Sequence, residues 1–457
     1  MRKTLQMTMA DDDLMAMRSD DLGIDSLVSI DLRTWFAKKL KVNMPVLKVM
    51  SNDTLANLVL FAVENVPSEL LPNIASRATS KALMNGDGVH SFEIDWDAET
   101  CPPAGLAELT MTSAAATTAI LDPSSVLLTG VSGLLGHHIL TALLEQASIE
   151  KVFCIAVRRL EERLEKGELP RDDRVVYYAG ELAQPRLGLS KEDAATIFEE
   201  VGAVIHNGAD TSHLKSYFDL RPANVDSTIE LVRLCLPRRI PLHVVSSNAV
   251  GRYSNKAEIG EVAINSPGAP RPPKDGSSGY RSTKWAIEGL LERVHESYDL
   301  PIWIHRPSTI LRAGKDAEGL AAQLDWMNAL ILYMDKLSAV PKLNHVTGFL
   351  DLVHARTVCT GILAHVLEGE PSGGAGKVLY VHHMGDLLLP LARLEEISEG
   401  SGREFRQLQR EEWTAEAVAA GMHPAVVVLI EMMDAPDLKG PPRFVKGLGS
   451  PREPLPK

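Results

Sequence analysis

The sequence predicts an α/β fold in which helices cover both faces of a doubly wound parallel sheet. Two observations carry this prediction: apolar runs of strand length alternate with helical stretches from Ser125 onward, and a glycine-rich loop joins the first run to the first helix. Strands that are buried on both faces read as unbroken apolar runs, because neither side meets water. The strand candidates are VLL (126–128), VFCIAV (152–157), VVYY (175–178), AVI (203–205), HVV (243–245), IWI (302–304) and VLYV (378–381).

Composition separates the 457 residues into four segments. Residues 1–65 carry apolar residues at helical spacing and predict a small helical domain. Residues 66–122 are rich in Pro, Ser, Thr, Gly and Ala without sustained periodicity, which is typical of a linker. Residues 123–385 hold the alternating pattern of the sheet. Residues 386–457 predict a smaller, mostly helical C-terminal substrate region and a tail.

Charge and cysteine content exclude several classes of function. The chain has 47 Lys and Arg against 60 Asp and Glu, a net charge of −13, so we expect no nucleic-acid partner. No apolar run reaches the roughly 18 residues that a membrane span needs. The four cysteines form no CxxC pair and have no histidine at ligand spacing. We therefore expect no metal site, no disulfide framework and a cytoplasmic location.

The first strand–helix junction reads TGVSGLLG, a GxxGxxG loop between an apolar strand and an amphipathic helix. Glycines at this place let the backbone approach a pyrophosphate, and the helix N-terminus offers N–H groups to it. A Rossmann-type dinucleotide site is therefore predicted. Its candidate cofactor-binding residues are Gly130, Ser132, Gly133, Leu135 and Gly136.

The ends of the second and fourth strands extend the predicted cofactor site. Arg158 and Arg159 follow the second strand, where arginine suits the 2′-phosphate of NADPH and a carboxylate would suit NAD. A solvated basic strand end is the alternative interpretation. Asn207 follows the fourth strand and is expected to bond nearby backbone or the cofactor ribose. His206, inside that apolar strand, is expected to be structural.

A YxxxK pattern at Tyr280 and Lys284 supplies a candidate acid–base pair. Residues four apart share a helix face, so the Lys284 ammonium is expected near the phenol, where it favours the phenolate. Ser246 and Ser247 end the fifth strand, at the edge where open α/β sheets build their sites.

TGxxGxxG, SSxxV and YxxxK in this order resemble an extended short-chain dehydrogenase/reductase. The resemblance implies that Ser247, Tyr280 and Lys284 are catalytic, with Ser246 the less favoured serine. Over about residues 125–441 the chain also resembles the terminal thioester reductase domains of polyketide and nonribosomal peptide synthases. The motifs are RRLEERL (158–164), PRLGLS (185–190), VIHNGAD (204–210), NVDST (224–228) and IHRPS (304–308). The linker piece FEIDWDAET (92–100) and the tail piece GMHPAV (421–426) are similar to the fungal members of this group.

The segment LGIDSL (22–27) resembles the attachment motif of an acyl carrier domain, and the residues after it resemble the carrier of a fungal highly reducing polyketide synthase. The resemblance implies that Ser26 carries 4′-phosphopantetheine at a helix start; an ordinary N-cap serine is the alternative. It also implies a phosphopantetheinyl transferase and upstream polyketide synthase modules as partners. Only 25 residues precede Ser26, so an incomplete first helix is expected.

The leading functional hypothesis is NADPH-dependent release of a carrier-bound acyl thioester as an aldehyde, or onward to an alcohol. One alternative is redox-independent Dieckmann cyclisation, which similar domains of fungal polyketide–peptide hybrids catalyse. The other is an inactive fragment that binds a cofactor. Because such relatives commonly lose the tyrosine or the lysine, the presence of Tyr280 and Lys284 favours reduction.

Overall fold

A computed structural model describes residues 93–111, 123–213, 215–265, 268–312, 325–369, 378–385, 387–394, 404–434 and 442–445. Nearer the N-terminus it describes residues 29, 32, 35–42, 44, 46–49 and 54–66. The chain divides into two compact units. The first comprises Met1–Asp95, Thr211–Asp219 and Pro273–Tyr280, and the second comprises Trp96–Asp210, Leu220–Pro272 and Arg281–Lys457.

The N-terminal part of the first unit is helical around a small apolar core, as the sequence predicts. It contains a π-helix, Phe36–Leu40, and the helices α1 (Val46–Val49) and α2 (Leu55–Asn65). Thr54 caps α2, because its hydroxyl accepts a hydrogen bond from the Asn57 N–H. The buried residues of α2 recur at helical spacing and so form one apolar face. The core residues are Leu32, Phe36, Met44, Val49, Leu55, Leu58 and Ala62.

A seven-stranded parallel sheet is the centre of the second unit. Smaller sheets accompany it. The strands of all these sheets, in chain order, are β1 (Ser125–Thr129), β2 (Lys151–Val157), β3 (Val175–Ala179), β4 (Ala203–His206), β5 (Leu242–Val245), β6 (Glu258–Ile259), β7 (Ile302–Pro307), β8 (Thr309–Leu311), β9 (Ala339–Lys342), β10 (Phe349–His354), β11 (Leu379–His383), β12 (Leu387–Pro390), β13 (Arg406–Gln409) and β14 (Arg443–Phe444). The central order is β11-β7-β5-β4-β1-β2-β3, and the smaller sheets are β12-β10-β8, β13-β9 and β14-β6. Each of the seven predicted runs forms one central strand, so the predicted doubly wound sheet is confirmed.

Helices precede and connect these strands, and parallel neighbours in a sheet need such crossover connections. They are α3 (Trp96–Glu99), α4 (Leu106–Met111), α5 (Leu134–Leu144), α6 (Leu160–Glu165), α7 (Lys191–Glu200), α8 (Tyr217–Arg221), α9 (Ser227–Cys235), α10 (Gly279–Tyr298), α11 (Trp326–Leu337), α12 (Ala355–Glu368), α13 (Arg410–Ala419) and α14 (Pro424–Met433). Apolar side chains of α5 and α12 pack with β1 and β2 in one buried cluster. Among the described helices, none is long and apolar enough to cross a bilayer.

Part of the predicted linker is ordered on the second unit. Trp96 is buried, and its Nε1–H donates to the Pro272 carbonyl at 2.9 Å. The Trp96 ring also packs edge-to-face on Trp285 with ring centroids 5.6 Å apart. Leu106 of α4 is buried as well. These contacts join residues far apart in sequence, so the local composition of residues 66–122 does not reveal them.

The predicted boundary between residues 385 and 386 runs through a single apolar core. Residues of α11 and β9 share that core with residues of α13 and α14. Trp413 shows the connection, since its buried Nε1–H donates to the Ala339 carbonyl at 2.8 Å. The C-terminal region also contributes β12 and β13. This apolar core therefore includes residues on both sides of the predicted boundary and begins, along the chain, at α11.

Candidate active site

The loop between β1 and α5 is tightly closed by its glycines. Gly130 has a φ of +73°, in the left-handed region that favours glycine, and its carbonyl accepts the Gly133 N–H at 3.0 Å. A Cβ on Gly130 would lie 2.6 Å from the Gly208 Cα, and one on Gly136 would lie 2.0 Å from the Gly130 oxygen. Two of the three predicted glycines are thus required by packing, and Gly133 has more room, at 3.4 Å from the Gly130 oxygen.

The N-terminus of α5 is suited to an anionic group. Gly133 is its N-cap, and no side chain of the described residues caps it, so the first N–H groups of the helix are open to a ligand. Ser132 is exposed beside this end. Leu135 is buried in the apolar cluster, so only its backbone N–H, and not its side chain, could face a cofactor. This geometry fits the pyrophosphate of a dinucleotide.

Hydrogen bonds fix the end of β4 against the glycine-rich loop. Asn207 donates from Nδ2 to the Gly130 carbonyl at 3.3 Å, which is the backbone bond expected for it. The hydroxyl of Thr129 accepts the Gly208 N–H at 2.9 Å and lies 2.8 Å from Nδ1 of His206. Sequence reasoning missed Thr129, although its place as the last residue of β1 marks it.

Arg158 and Arg159 lie at the carboxyl end of β2, and both are exposed. Arg159 is the N-cap of α6 with a φ of 52°, and its guanidinium lies 3.9 Å from the Glu162 carboxylate. The exposed Arg159–Glu162 ion pair is long and contributes little to stability, so it does not hold the Arg159 guanidinium away from a ligand. The guanidinium groups of Arg158 and Arg159 can therefore both meet a phosphate.

The two serines after β5 have different environments. Ser246 is 2 % exposed, and its hydroxyl donates to Oε1 of Glu288 at 2.6 Å. Ser247 is partly exposed and is the N-cap of the 3-10 helix Asn248–Tyr253, where its Oγ accepts the Ala249 N–H at 3.1 Å. A hydroxyl that accepts this bond still has its own proton to donate. The surroundings therefore favour Ser247 over Ser246 as the serine that meets substrate.

Tyr280 and Lys284 lie one turn apart at the beginning of α10. The Tyr280 ring is partly exposed and packs edge-to-face on His213, with centroids 5.2 Å apart. Lys284 is buried, and its Nζ donates to the Val245 carbonyl at 2.8 Å. Burial lowers the pKa of Lys284 to about 8. The ammonium is thus held at the end of β5, immediately before the two serines.

Asn224 connects the loop after β4 with the start of α10. Its Oδ1 accepts the Asp210 N–H at 2.8 Å, and its Nδ2 donates to the Asp210 carbonyl at 3.0 Å. The same Nδ2 donates to Oγ1 of Thr283 at 3.1 Å. In the sequence, Asn224 is only the first residue of the NVDST motif. Residue types alone do not indicate that its side chain bridges these two segments.

Burial disfavours the charged form of three histidines inside the sheet. We call His206, His243 and His305 the sheet histidines; they lie on β4, β5 and β7 and are all buried. Burial lowers the pKa of His206 and of His243 to about 3 and holds that of His305 well below its usual value. Nδ1 of His305 lies 2.9 Å from Nε2 of His383, and among the described residues no group of acidic, histidine and cysteine side chains is placed to hold a metal ion. These contacts fit the structural role expected for His206.

The predicted phosphopantetheine residue, Ser26, lies outside the described residues. The family profile that covers it is described as a phosphopantetheine attachment site and matches residues 17–62. A second profile, described as Male sterility protein, an NAD-binding domain, matches residues 128–362.

Similar proteins include the highly reducing polyketide synthase calA of Penicillium decumbens, 43 % identical over 98 % of this chain and 17 % of that protein. The polyketide synthase–nonribosomal peptide synthetase phmA of Phaeosphaeria nodorum is 35 % identical over 90 % of this chain and 10 % of that protein. The chain therefore spans less than a fifth of the length of these relatives.

Solved structures share the fold. The terminal R domain from the myxalamid PKS-NRPS biosynthetic pathway is 25 % identical, with a TM-score of 0.57, covering 77 % of this chain and 88 % of that one. A thiolation-reductase di-domain from an archaeal nonribosomal peptide synthetase aligns with a TM-score of 0.58 at 16 % identity, covering 95 % of this chain and 87 % of that one.

Proposed function

The chain belongs to the Male sterility family of NAD-binding domains, joined to a phosphopantetheine attachment domain, and we propose that it releases a carrier-bound acyl chain by NADPH-dependent reduction of its thioester. The observation that supports this most directly is the position of Lys284. Its ammonium is fixed at the Val245 carbonyl, at the end of β5 and two residues before Ser247, and it lies one helical turn after Tyr280.

The residues of the glycine-rich loop fit a dinucleotide. The open N-terminus of α5 would face the pyrophosphate, and Gly130 and Gly136 keep the loop closed beneath it. Arg158 and Arg159 would meet a 2′-phosphate, which is the basis for proposing NADPH over NADH. When bound, the nicotinamide supplies hydride to the carbonyl carbon of the thioester.

Side chains of this chain handle the oxygen and the proton. The Ser247 and Tyr280 hydroxyls donate hydrogen bonds to the carbonyl oxygen as negative charge develops on it, and Tyr280 then gives that oxygen its proton. Lys284 stabilises the resulting phenolate electrostatically. The carbon–sulfur bond of the hemithioacetal then breaks, the hydroxyl proton passes to the departing thiolate, and an aldehyde and a thiol are released.

The substrate is proposed to arrive on a phosphopantetheine arm at Ser26, placed there by a phosphopantetheinyl transferase. The arm would hold an acyl chain made by polyketide synthase modules, as the names of the relatives suggest. Tethering raises the effective concentration of the thioester, so the site needs little affinity for the acyl chain itself. We propose the cytosol as the location of the reaction.

Anaerobic incubation of the purified chain with NADPH and an acyl N-acetylcysteamine thioester tests the proposal. We expect NADPH to be consumed and an aldehyde or alcohol to form. Tyr280→Phe should lose this activity, because the phenylalanine has no proton to donate. Tyr298→Phe is the matched control, since it makes the same change at the far end of the same helix and should keep full activity.

The products decide between reduction and its alternatives. A β-ketoacyl aminoacyl thioester that cyclises without NADPH would identify a Dieckmann cyclase and contradict the proposal. NADPH binding with neither reduction nor cyclisation would identify an inactive cofactor-binding fragment. Consumption of NADH in preference to NADPH would overturn the cofactor assignment alone.

A further inference from the structure

A buried ion pair between α10 and β7 contacts Ser246, next to the proposed catalytic Ser247, and the proposed mechanism does not use it. Glu288 and Arg306 are both fully buried. Arg306 donates to the Glu288 carboxylate twice, from Nε to Oε1 at 3.0 Å and from Nη2 to Oε2 at 2.7 Å. The Ser246 hydroxyl donates to the same Oε1 at 2.6 Å. One carboxylate therefore receives three hydrogen bonds from two residues, Arg306 on β7 and Ser246 after β5.

The Glu288 carboxylate is placed to act on two proposed catalytic residues, Ser247 and Lys284. Ser246 immediately precedes Ser247, so the bond to Glu288 fixes the strand end that presents Ser247. Glu288 also follows Lys284 by one turn of α10, which places the two residues on one helix face. A backbone hydrogen bond to β7 also holds this strand end, because the Ser246 N–H donates to the His305 carbonyl at 2.7 Å.

Stability alone does not account for a pair at this place. Removing two charges from water costs several kcal/mol per ion, and apolar residues of similar volume often stabilise a core as well. Arg306 is satisfied further by the Val262 carbonyl at 2.8 Å, by Nε2 of His382 at 3.3 Å and by the face of the Tyr380 ring, 4.1 Å from the guanidinium carbon. Arg306 thus orients the carboxylate of Glu288 toward Ser246.

We propose that Glu288 is a positioning residue for the reduction, holding the Ser246–Ser247 strand end and placing a negative charge beside the Lys284 ammonium. The inference rests on the proposed function, since it assigns Glu288 a role toward its catalytic residues. Glu288 reaches no reacting atom itself and acts through Ser246 and Lys284.

The charge of Glu288 has a measurable consequence at Lys284. Burial lowers the pKa of Lys284 to about 8, and the Glu288 carboxylate opposes that fall. Without the carboxylate, the ammonium is lost at a lower pH, and with it the support for the Tyr280 phenolate. The charged and titratable groups around Glu288 and Lys284 are Arg306, Tyr380 and His382 from β7 and β11, His206 from β4, and Glu292 from α10 itself.

Glu288→Gln keeps the shape of the side chain and removes its charge. We expect the alkaline limb of the pH profile of kcat/KM to move down by about one pH unit, which is about tenfold in activity at a fixed pH on that limb. Glu292→Gln is the matched control: it lies one turn further along α10, and its carboxylate accepts from the Tyr380 hydroxyl instead. Its alkaline limb should coincide with that of the unmodified chain.

Two further variants keep the test decisive if Glu288→Gln does not fold. The double variant Glu288→Gln/Arg306→Met removes both charges, so no uncompensated ion remains buried, and it should show the same shift of the limb. Ser246→Ala keeps the ion pair and removes only the bond to the strand end. It should lower kcat about tenfold with little change in KM and no shift of the limb, corresponding to the loss of a charge-assisted hydrogen bond.

A titration without substrate separates this inference from the proposed function. The ultraviolet difference spectrum between each protein and its own Tyr280→Phe version isolates the ionisation of Tyr280. We expect the phenol to ionise at a higher pH in Glu288→Gln than in the unmodified chain. A folded Glu288→Gln protein with unchanged titration and pH profile would overturn the role of Glu288. Absence of NADPH consumption by the unmodified chain would instead refute the proposed function and leave the titration to decide about Glu288.

Discussion

A methyl group at Gly136 tests the packing on which the cofactor loop depends. Gly136→Ala would place a Cβ 2.0 Å from the Gly130 carbonyl oxygen and 2.9 Å from Nδ2 of Asn207. The first distance falls about 1.4 Å short of the 3.4 Å at which ordinary van der Waals contact begins. Since the nearer atom belongs to the backbone, a side-chain rotation cannot relieve the overlap. The loop must move away from α5 and weaken the bond from Asn207.

The cost of this displacement follows from the behaviour of overpacked cores. Extra methylene groups in well-packed sites cost about 1–3 kcal/mol, and the backbone contact puts Gly136→Ala at the upper end. If half of that energy opposes cofactor binding, the Kd for NADPH rises about tenfold. At that upper end of about 3 kcal/mol, the melting temperature should fall by about 6–12 °C, at roughly 2–4 °C per kcal/mol.

Cofactor titration by calorimetry and thermal unfolding by circular dichroism measure the two effects. Gly260→Ala is the matched control, because a Cβ there meets no atom within 4 Å and its φ is not positive. That variant should bind NADPH and unfold like the unmodified chain. Gly136→Ala with unchanged affinity and unchanged melting temperature would refute the described packing of the loop.

Three other perturbations have defined outcomes. Arg158→Ala/Arg159→Ala should raise the KM for NADPH at least about tenfold and leave that for NADH unchanged, because charge-assisted bonds to a 2′-phosphate are lost; an equal change for both cofactors, measured by steady-state kinetics, would contradict this. Incubation with coenzyme A and a phosphopantetheinyl transferase should add a phosphopantetheine mass to the chain and to Ser29→Ala, whose serine is buried, but not to Ser26→Ala; loading of Ser26→Ala would exclude that residue. The pKa values of the sheet histidines in the folded chain lie below the value of 6.5 in the unfolded chain. Their full contribution to the free energy of unfolding is therefore present above pH 6.5, and below it each histidine lowers that free energy by about 1.4 kcal/mol per pH unit. Equal free energies of unfolding in urea at about pH 7 and about pH 5 would contradict their neutral, buried state.

The central sheet could be predicted because its signal is local. Each buried strand is an unbroken apolar run, and the glycine-rich loop has its strand before it and its helix after it. The same local logic led to Asn207, whose amide bonds the loop backbone. The packing of the loop requires glycine at Gly130 and Gly136, and the cofactor role of these residues stays a prediction.

Features that depend on distant pairs could not be predicted from the sequence. Ser246 and Ser247 are adjacent and identical in type, and the sequence favours Ser247 only through the family resemblance. The physical difference between them is the bond of Ser246 to Glu288, 42 residues away. Trp96 reads as part of a linker until it meets the Pro272 carbonyl, 176 residues further along. The start of the C-terminal core is hidden for the same reason, since Trp413 bonds Ala339 across 74 residues.

Transfer of deuterium from the cofactor tests the central claim most directly. The loaded chain, or the free chain with an acyl thioester, is incubated with NADPH deuterated at the reactive position of the nicotinamide, and the released product is analysed by mass spectrometry. Reductive release predicts an aldehyde or alcohol that carries deuterium at the former carbonyl carbon of the thioester. The unmodified chain and Tyr298→Phe should form it, and Tyr280→Phe should not. A released product without deuterium, or a cyclised product formed equally well without NADPH, would contradict the account.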